Sequence, residues 1–283
     1  MSHERTVKST YIGRPTMEGA GVRLHRVFGY DEVPSFDPFL MLDDFGSEDP
    51  DEYMAGFPWH PHRGIETVTY MLHGEVKHGD SMGNHGAIGD GQIQWMTAGG
   101  GIIHQEMPQR QDDYLRGFQL WVNLPAHKKM MAPRYQDIKA KDVPETSSQS
   151  GAAVKVLAGR YGDCRGPVRD IVCDPLYLDI RVPANGRFAH EVPGDHTVFV
   201  YAVDGEGAFD PKNTALAAGR LGLYGPGGAI AVTAGPGGVR FLLVAGKPIG
   251  EPVAWRGPIV MNSEAELDQA FREYRHGTFI KTR

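Results

Sequence analysis

The chain has 283 residues, of which 41% are hydrophobic, 37 are glycine and 20 are proline, and its net charge is −6. That length suits one large or two ordinary domains with ample core, and the glycine and proline favour short strands and tight turns over long helices. An acidic balance without a basic stripe argues against direct nucleic-acid binding, and no apolar run approaches the roughly 20 residues of a membrane helix.

The N-terminus, Met1-Ser-His-Glu-Arg5, lacks the apolar segment of a signal peptide. Cys164 and Cys173 are too few to staple a chain this long. A cytoplasmic protein with reduced thiols is expected.

In chain order, Gly21 to Phe28 alternates as a half-buried strand. Pro38 to Phe45 is an apolar run ending in acid, where Asp43 and Asp44 read as a turn or a salt bridge to an arginine rather than as ligands. Phe57-Pro-Trp-His-Pro-His62 follows, then Glu66 to Leu72, rich in β-branched and aromatic residues. Glu75 to His78 reads as a returning strand with a turn over Gly79 to Asn84, and Gln92 to Thr97 alternates again. Gly99 to Gly101 let the backbone turn sharply or pass close to something. Ile102 to Met107 and Leu115 to Leu124 complete a first set of strands, enough for a barrel or sandwich.

Ala126 to Tyr135 suits a helical turn, and residues 142–152 are polar and aperiodic, which reads as a linker between domains at 1–141 and 153–283. A second set of strands runs from Val154 to Ala245, with turns expected at Asp204-Gly205 and Gly235 to Gly238. One helix closes the sequence. Ser263 is its expected N-cap, Glu266 completes a capping box, and Leu267, Ala270, Phe271 and Tyr274 make one apolar face before Gly277.

Two pairs of metal-capable side chains stand two residues apart: His60 with His62, and His104 with Glu106. On a strand, residues i and i+2 look the same way, roughly 7 Å apart. Two such strands facing each other would aim three imidazoles and a carboxylate at one point. Imidazole suits iron, nickel, copper and zinc, and positions left open on the ion mean chemistry rather than scaffolding. The carboxylate is open at this stage. Glu66, four residues after His62, and Glu106 could divide the roles of ligand and holder of an imidazole N–H.

His73, His78 and His85 fall at strand ends and turns, where solvated surface is the plainer reading; His190 and His196 are not spaced as ligands. His-Gln-Glu at 104–106 lacks the Cys-x-x-Cys of zinc deaminases, and there is no Gly-x-Ser-x-Gly elbow or phosphate loop.

The runs from Phe57 to Pro108, with Ile12-Gly-Arg-Pro15, Asp37-Pro-Phe-Leu40, Gln119 to Pro125 and the terminal helix, resemble the pirin family of the cupin superfamily over nearly the whole chain. The resemblance implies an all-β bicupin: two antiparallel jelly-roll barrels with a short C-terminal helix and metal only in the first. It assigns the ligands to His60, His62, His104 and Glu106. General cupins use the first-motif glutamate, here Glu66, but this sequence departs from that motif.

The resemblance also implies one divalent metal, Fe(II) first, with Ni, Cu, Mn, Co or Zn as substitutes. The activity implied is a quercetin 2,3-dioxygenase acting on a flavonol and O2, with Glu106 taking the flavonol proton. Phe57, Trp59, Trp95 and Met96 could wall a flat substrate. The alternative implied is a metal- or redox-responsive regulator that binds a transcription factor or metabolic enzyme.

Overall fold

The computed structural model describes residues 3–173 and 175–281, and they form antiparallel strands, short 3-10 turns and one α-helix. The chain divides into two compact units, each built from two stretches of sequence: Met1–Gly13 with Lys141–Pro248, and Arg14–Ala140 with Ile249–Arg283. The sequence suggested contiguous domains. The ends depart from that arrangement because the first strand, Val7–Ile12, is paired along Arg220–Tyr224, while the terminal hairpin and helix pack with the earlier residues. Within the expected linker, Glu145–Ser147 pairs with Ala153–Ala158. Three residues are too few to show a period, so sequence could not mark them as a strand.

The unit containing Lys141–Pro248 is organised by a nine-stranded sheet. Its apolar core includes Val156, Leu178, Ile180, Val200, Phe209 and Phe241. Two expected turns are not turns. Thr197–Ala208 and Ala229–Gly246 run straight through Asp204-Gly205 and Gly235 to Gly238, with register shifts beside Asp204 and Gly205. Gly205 has φ of 73°, and a Cβ there would stand 2.3 Å from the Gly238 carbonyl. These glycines serve bulges and close approach rather than chain reversal.

The unit containing Arg14–Ala140 holds two large sheets, besides the two-stranded terminal hairpin. The seven-stranded one runs, in spatial order, Arg134–Ile138, Ile93–Thr97, Ile65–His73, Leu115–Asn123, Phe39–Ser47, Val22–Phe28 and Arg14–Glu18. The four-stranded one runs Phe57–His62, Ile102–Pro108, Val76–Asp80 and His85–Ile88. Phe57–His62 is an edge strand, as Pro58 and Pro61 require, since neither can donate to a ladder. Leu24, Phe45, Met71 and Leu115 of the larger sheet pack on Val76 and Ile88 of the smaller. Asp43 and Asp44 are salt-bridge partners as expected, of Arg26 at 2.8 Å and of Arg116 at 3.6 Å.

The chain returns to this unit through the hairpin Ala254–Arg256 and Ile259–Met261, then the helix Glu264–Arg275. The Ser263 hydroxyl accepts from the Glu266 N–H, while the Glu266 carboxylate accepts from the Asn262 N–H, one residue earlier than a standard capping box. Leu267 and Ala270 are buried against Ile259, Met261 and Phe279; Phe271 is half-buried, and Tyr274 is mostly on the surface.

Candidate metal centre

His104, at the middle of Ile102–Pro108, lies directly opposite His60 on the edge strand. His62, two residues on, faces the same way as His60. The three imidazoles therefore converge, with one ring nitrogen from each lying within 4.8 Å of the other two.

The hydrogen bonds fix which nitrogens face inward. The His60 Nδ1–H donates to the Pro58 carbonyl at 2.8 Å, and the His62 Nδ1–H donates to the Pro258 carbonyl at 3.0 Å. A carbonyl can only accept, so both Nε2 atoms carry lone pairs. Those two lone-pair nitrogens stand 3.0 Å apart. A shared proton would need a buried imidazolium, and burial pushes the pKa of all three histidines down, well down for His62 and His104. His104 Nδ1 meets the Tyr135 hydroxyl at 3.1 Å, and its buried Nε2 has no hydrogen-bond partner among the described residues.

Three neutral imidazoles, two with inward lone pairs and the third with an unpartnered buried Nε2 and a hydroxyl that can accept from its Nδ1–H, are a donor set that a cation satisfies. Two nitrogens about 2.1 Å from one ion and at right angles stand about 3 Å apart. The residues present therefore fit a first-row transition metal.

The two candidate carboxylates separate. Glu106 is buried two residues from His104 and lines the same cavity as His60 and His62. Its Oε1 lies 3.1 Å from the Thr69 hydroxyl. Burial pushes its pKa up to about 7, against the pull of that hydrogen bond. Glu66 lies in the other sheet, where its Oε1 accepts from the Thr97 hydroxyl at 2.6 Å. The strand breaks at Arg63-Gly64, so the face count from His62 to Glu66 does not carry across.

That break has a distant cause. Gly64 has φ of 79°, and a Cβ there would lie 1.9 Å from the Val260 carbonyl. The terminal hairpin presses on the corner, and so delivers the Pro258 carbonyl to His62.

A cavity of about 770 Å³ opens beside the imidazoles. Of the expected wall residues, Phe57 lines it. Trp59 is half exposed at a register shift of the edge strand, and Trp95 and Met96 are fully buried in the core. The aromatic wall is Trp121 and Trp255 instead. Trp121 meets the His62 ring edge-on at 5.1 Å and Trp255 at 5.7 Å, and Tyr30 stands 5.6 Å from Trp255 at the rim. The alternation of Gln119 and Trp121 with Phe118, Leu120 and Val122 was the available signal for Trp121; Trp255 had none.

His78 is buried rather than solvated, opposite Glu106 and stacked on Tyr135. His73 is on the surface between Asp90 and Asp113, and His85 is exposed. No helix among the described residues is long and apolar enough to cross a membrane.

Comparison with known proteins agrees with this architecture. Residues 21–122 match the family model Pirin, and residues 177–280 match that of the pirin C-terminal cupin domain. A Pseudomonas aeruginosa protein named "Putative quercetin 2,3-dioxygenase" is 45% identical, over 98% of this chain and 99% of that protein. A pirin-like protein of Caulobacter vibrioides is 44% identical, over 97% and 99%. Among solved structures, a quercetin 2,3-dioxygenase from Acinetobacter baumannii is 32% identical, covers 98% of both chains and superposes with a TM-score of 0.89. The fold is accordingly an all-β bicupin with one terminal helix. On its sequence, its paired β units and these relatives, the chain belongs to the pirin family.

Proposed function

We propose that this protein is a metal-dependent dioxygenase of the quercetin 2,3-dioxygenase type, which opens the heterocyclic ring of a flavonol with O2 and releases carbon monoxide and a depside. The observation that carries this reading is the convergence of His60, His62 and His104, with the His104 Nε2 buried and unpartnered among the described residues, beside a cavity of about 770 Å³ that His60 and His62 line. That volume lies within the range of small-molecule sites. The names of the relatives support the substrate class.

His60, His62, His104 and Glu106 would hold the ion. Fe(II) suits three imidazoles and a carboxylate, as do Ni, Cu, Mn, Co and Zn. Once bound, it supplies Lewis acidity toward a substrate hydroxyl and redox capacity toward dioxygen. The protein's residues do the remainder. The Pro58 and Pro258 carbonyls hold two imidazoles in the ligating tautomer. Trp121 and Trp255 offer flat apolar surface and exclude water. Glu106, buried beside the imidazoles on the cavity wall, is the carboxylate placed to take a hydroxyl proton.

The test pairs elemental analysis of protein purified without added salts with oxygen uptake on quercetin. Near-stoichiometric metal and metal-dependent uptake are expected. His104→Ala should lose both and keep its circular dichroism. Retained stoichiometric metal in that variant contradicts the ligand assignment, and absent uptake by the loaded protein contradicts the activity.

A further inference from the structure

One row of side chains crosses the floor of the cavity. Thr69 is paired with Gln119, Gln119 with Asp43, and Asp43 with Arg26, on four adjacent strands of the larger sheet. Directly paired residues share a face, and all four line the cavity. The row spans three strand spacings, roughly 14 Å. At one end Thr69 reaches Glu106 at 3.1 Å, beside the imidazoles. At the other, Arg26 grips Asp43 through two bonds, at 2.9 and 2.8 Å, and Glu18 at 2.8 Å.

Apart from Thr67, the flanking rows carry apolar side chains. Trp121 pairs with Met41 on one side, and Phe45 with Leu24 on the other. A polar stripe within an apolar pocket needs partners, because polar groups desolvated without them are costly. The Thr69 hydroxyl lies 2.7 Å from Gln119 Oε1, but the Gln119 amide nitrogen has no partner among the described residues. Arg26 is engaged by two carboxylates, so Arg26, Asp43 and Glu18 together carry a formal charge of −1. Arg256, the other cation on this wall, is paired with Glu264 and Asp268. The far end therefore offers acceptors to a ligand and no free cation.

Resting on the flavonol reading above, we propose that this row determines specificity: it selects planar phenolic substrates that donate a hydroxyl from the ring distal to the reacting centre, and it rejects those carrying a carboxylate there. The reacting end lies at Glu106 and the imidazoles. The distal ring reaches Gln119, whose amide N–H donates to a hydroxyl oxygen, and the Asp43–Arg26–Glu18 cluster, whose carboxylates accept the hydrogen bond from that hydroxyl. Trp121 and Met41 contact its apolar surface.

The experiment measures binding by tryptophan quenching in the metal-loaded protein without oxygen. The probes are 3-hydroxyflavone, its 4′-hydroxy and 3′,4′-dihydroxy analogues, and its 4′-carboxy analogue. The wild type should bind the distally hydroxylated pair about tenfold more tightly than 3-hydroxyflavone, the scale of one hydrogen bond to a charged group. The carboxy analogue should bind about tenfold more weakly. Gln119→Leu should erase the hydroxyl preference. Glu18→Gln, at a half-exposed position where folding is not at risk, should relieve rejection of the carboxylate.

Equal affinity for all four probes in the wild type overturns the role of the row while flavonol binding stands. A hydroxyl preference unchanged in Gln119→Leu together with carboxylate rejection unchanged in Glu18→Gln overturns it as well. Failure of 3-hydroxyflavone to bind at all overturns both this assignment and the flavonol reading.

Discussion

Glu106 is the residue whose titration can be isolated. Burial raises its pKa from 4.5 to about 7, despite the Thr69 hydrogen bond. Between those values the metal-free folded protein holds a proton that the unfolded chain releases, so the contribution of Glu106 to stability grows as pH falls through 7 and is complete below 4.5. His62 and His104 act in the opposite sense, because their lowered pKa means that only the unfolded chain takes up protons as pH falls below 6.5. Glu106→Gln removes the favourable contribution. Urea denaturation of chelated proteins at pH 8 and pH 5 should show the wild type gaining up to about 3 kcal/mol relative to the variant on acidification. A difference that does not vary with pH would place the Glu106 carboxyl in water. At this scale the histidines were legible because i and i+2 share a face. The partners that fix their tautomers were not: Pro58 contributes only a backbone carbonyl, and Pro258 is 196 residues from His62. The strand rule that joined His62 to Glu66 failed at Gly64, where the chain turns under a contact from the far end of the sequence.

The terminal hairpin and helix show what an element contributes beyond its own core. Arg63, 2% exposed, donates to the Gly100 and Phe279 carbonyls at 2.8 Å, pairs with Glu273 at 2.8 Å, and lies 4.2 Å over the Phe279 ring. Lys129, equally buried, donates to the Gly64 and Val260 carbonyls and to the Asn123 side chain. Two buried cations thus tie the hairpin and helix to the corner that follows His62. Arg63→Met should cost about 3–5 kcal/mol in urea denaturation, because it leaves buried acceptors unmet, and should weaken metal affinity through His62. Lys281→Met, which removes the exposed partner of Glu273, should cost no more than about 1 kcal/mol. Equal losses in the two variants would mean that Arg63 is not the tie. The helix itself was readable from its cap and period, since both are local. Its destination was not, because a short apolar face fits any apolar surface. The misplaced turns have the same origin: glycine pairs announce unusual backbone, and a bulge inside Thr197–Ala208 needs it as much as a reversal does.

Among the described residues, four apolar clusters divide as the two units do. One is drawn from Ala152 to Ala245, and the others from Val22 to Leu115, from Leu40 to Val260 and from Ala254 to Phe279, without the 141–248 stretch. The imidazoles, their carbonyl acceptors and Tyr135 all belong to the unit formed by Arg14–Ala140 and Ile249–Arg283. An ion held there stabilises only the folded form of its own surroundings, by about 2.7 kcal/mol when present at a hundred times its dissociation constant. Chelation should therefore speed amide exchange in Phe57–His62, Ile102–Pro108 and the terminal hairpin, because Pro258 loses the constraint that a ligated His62 imposes. The strands Ala153–Ala158, Leu176–Val182 and Ala229–Gly246 should keep their protection. Hydrogen exchange read by mass spectrometry, with and without chelator, separates the outcomes. Loss of protection spreading to the second group would show that the metal governs the stability of the whole chain, while no change near His60 and His104 would remove the ion from the proposed site. The first result would still leave an oxygenase to be tested; the second would leave a cavity lined by histidines with nothing to bring them together.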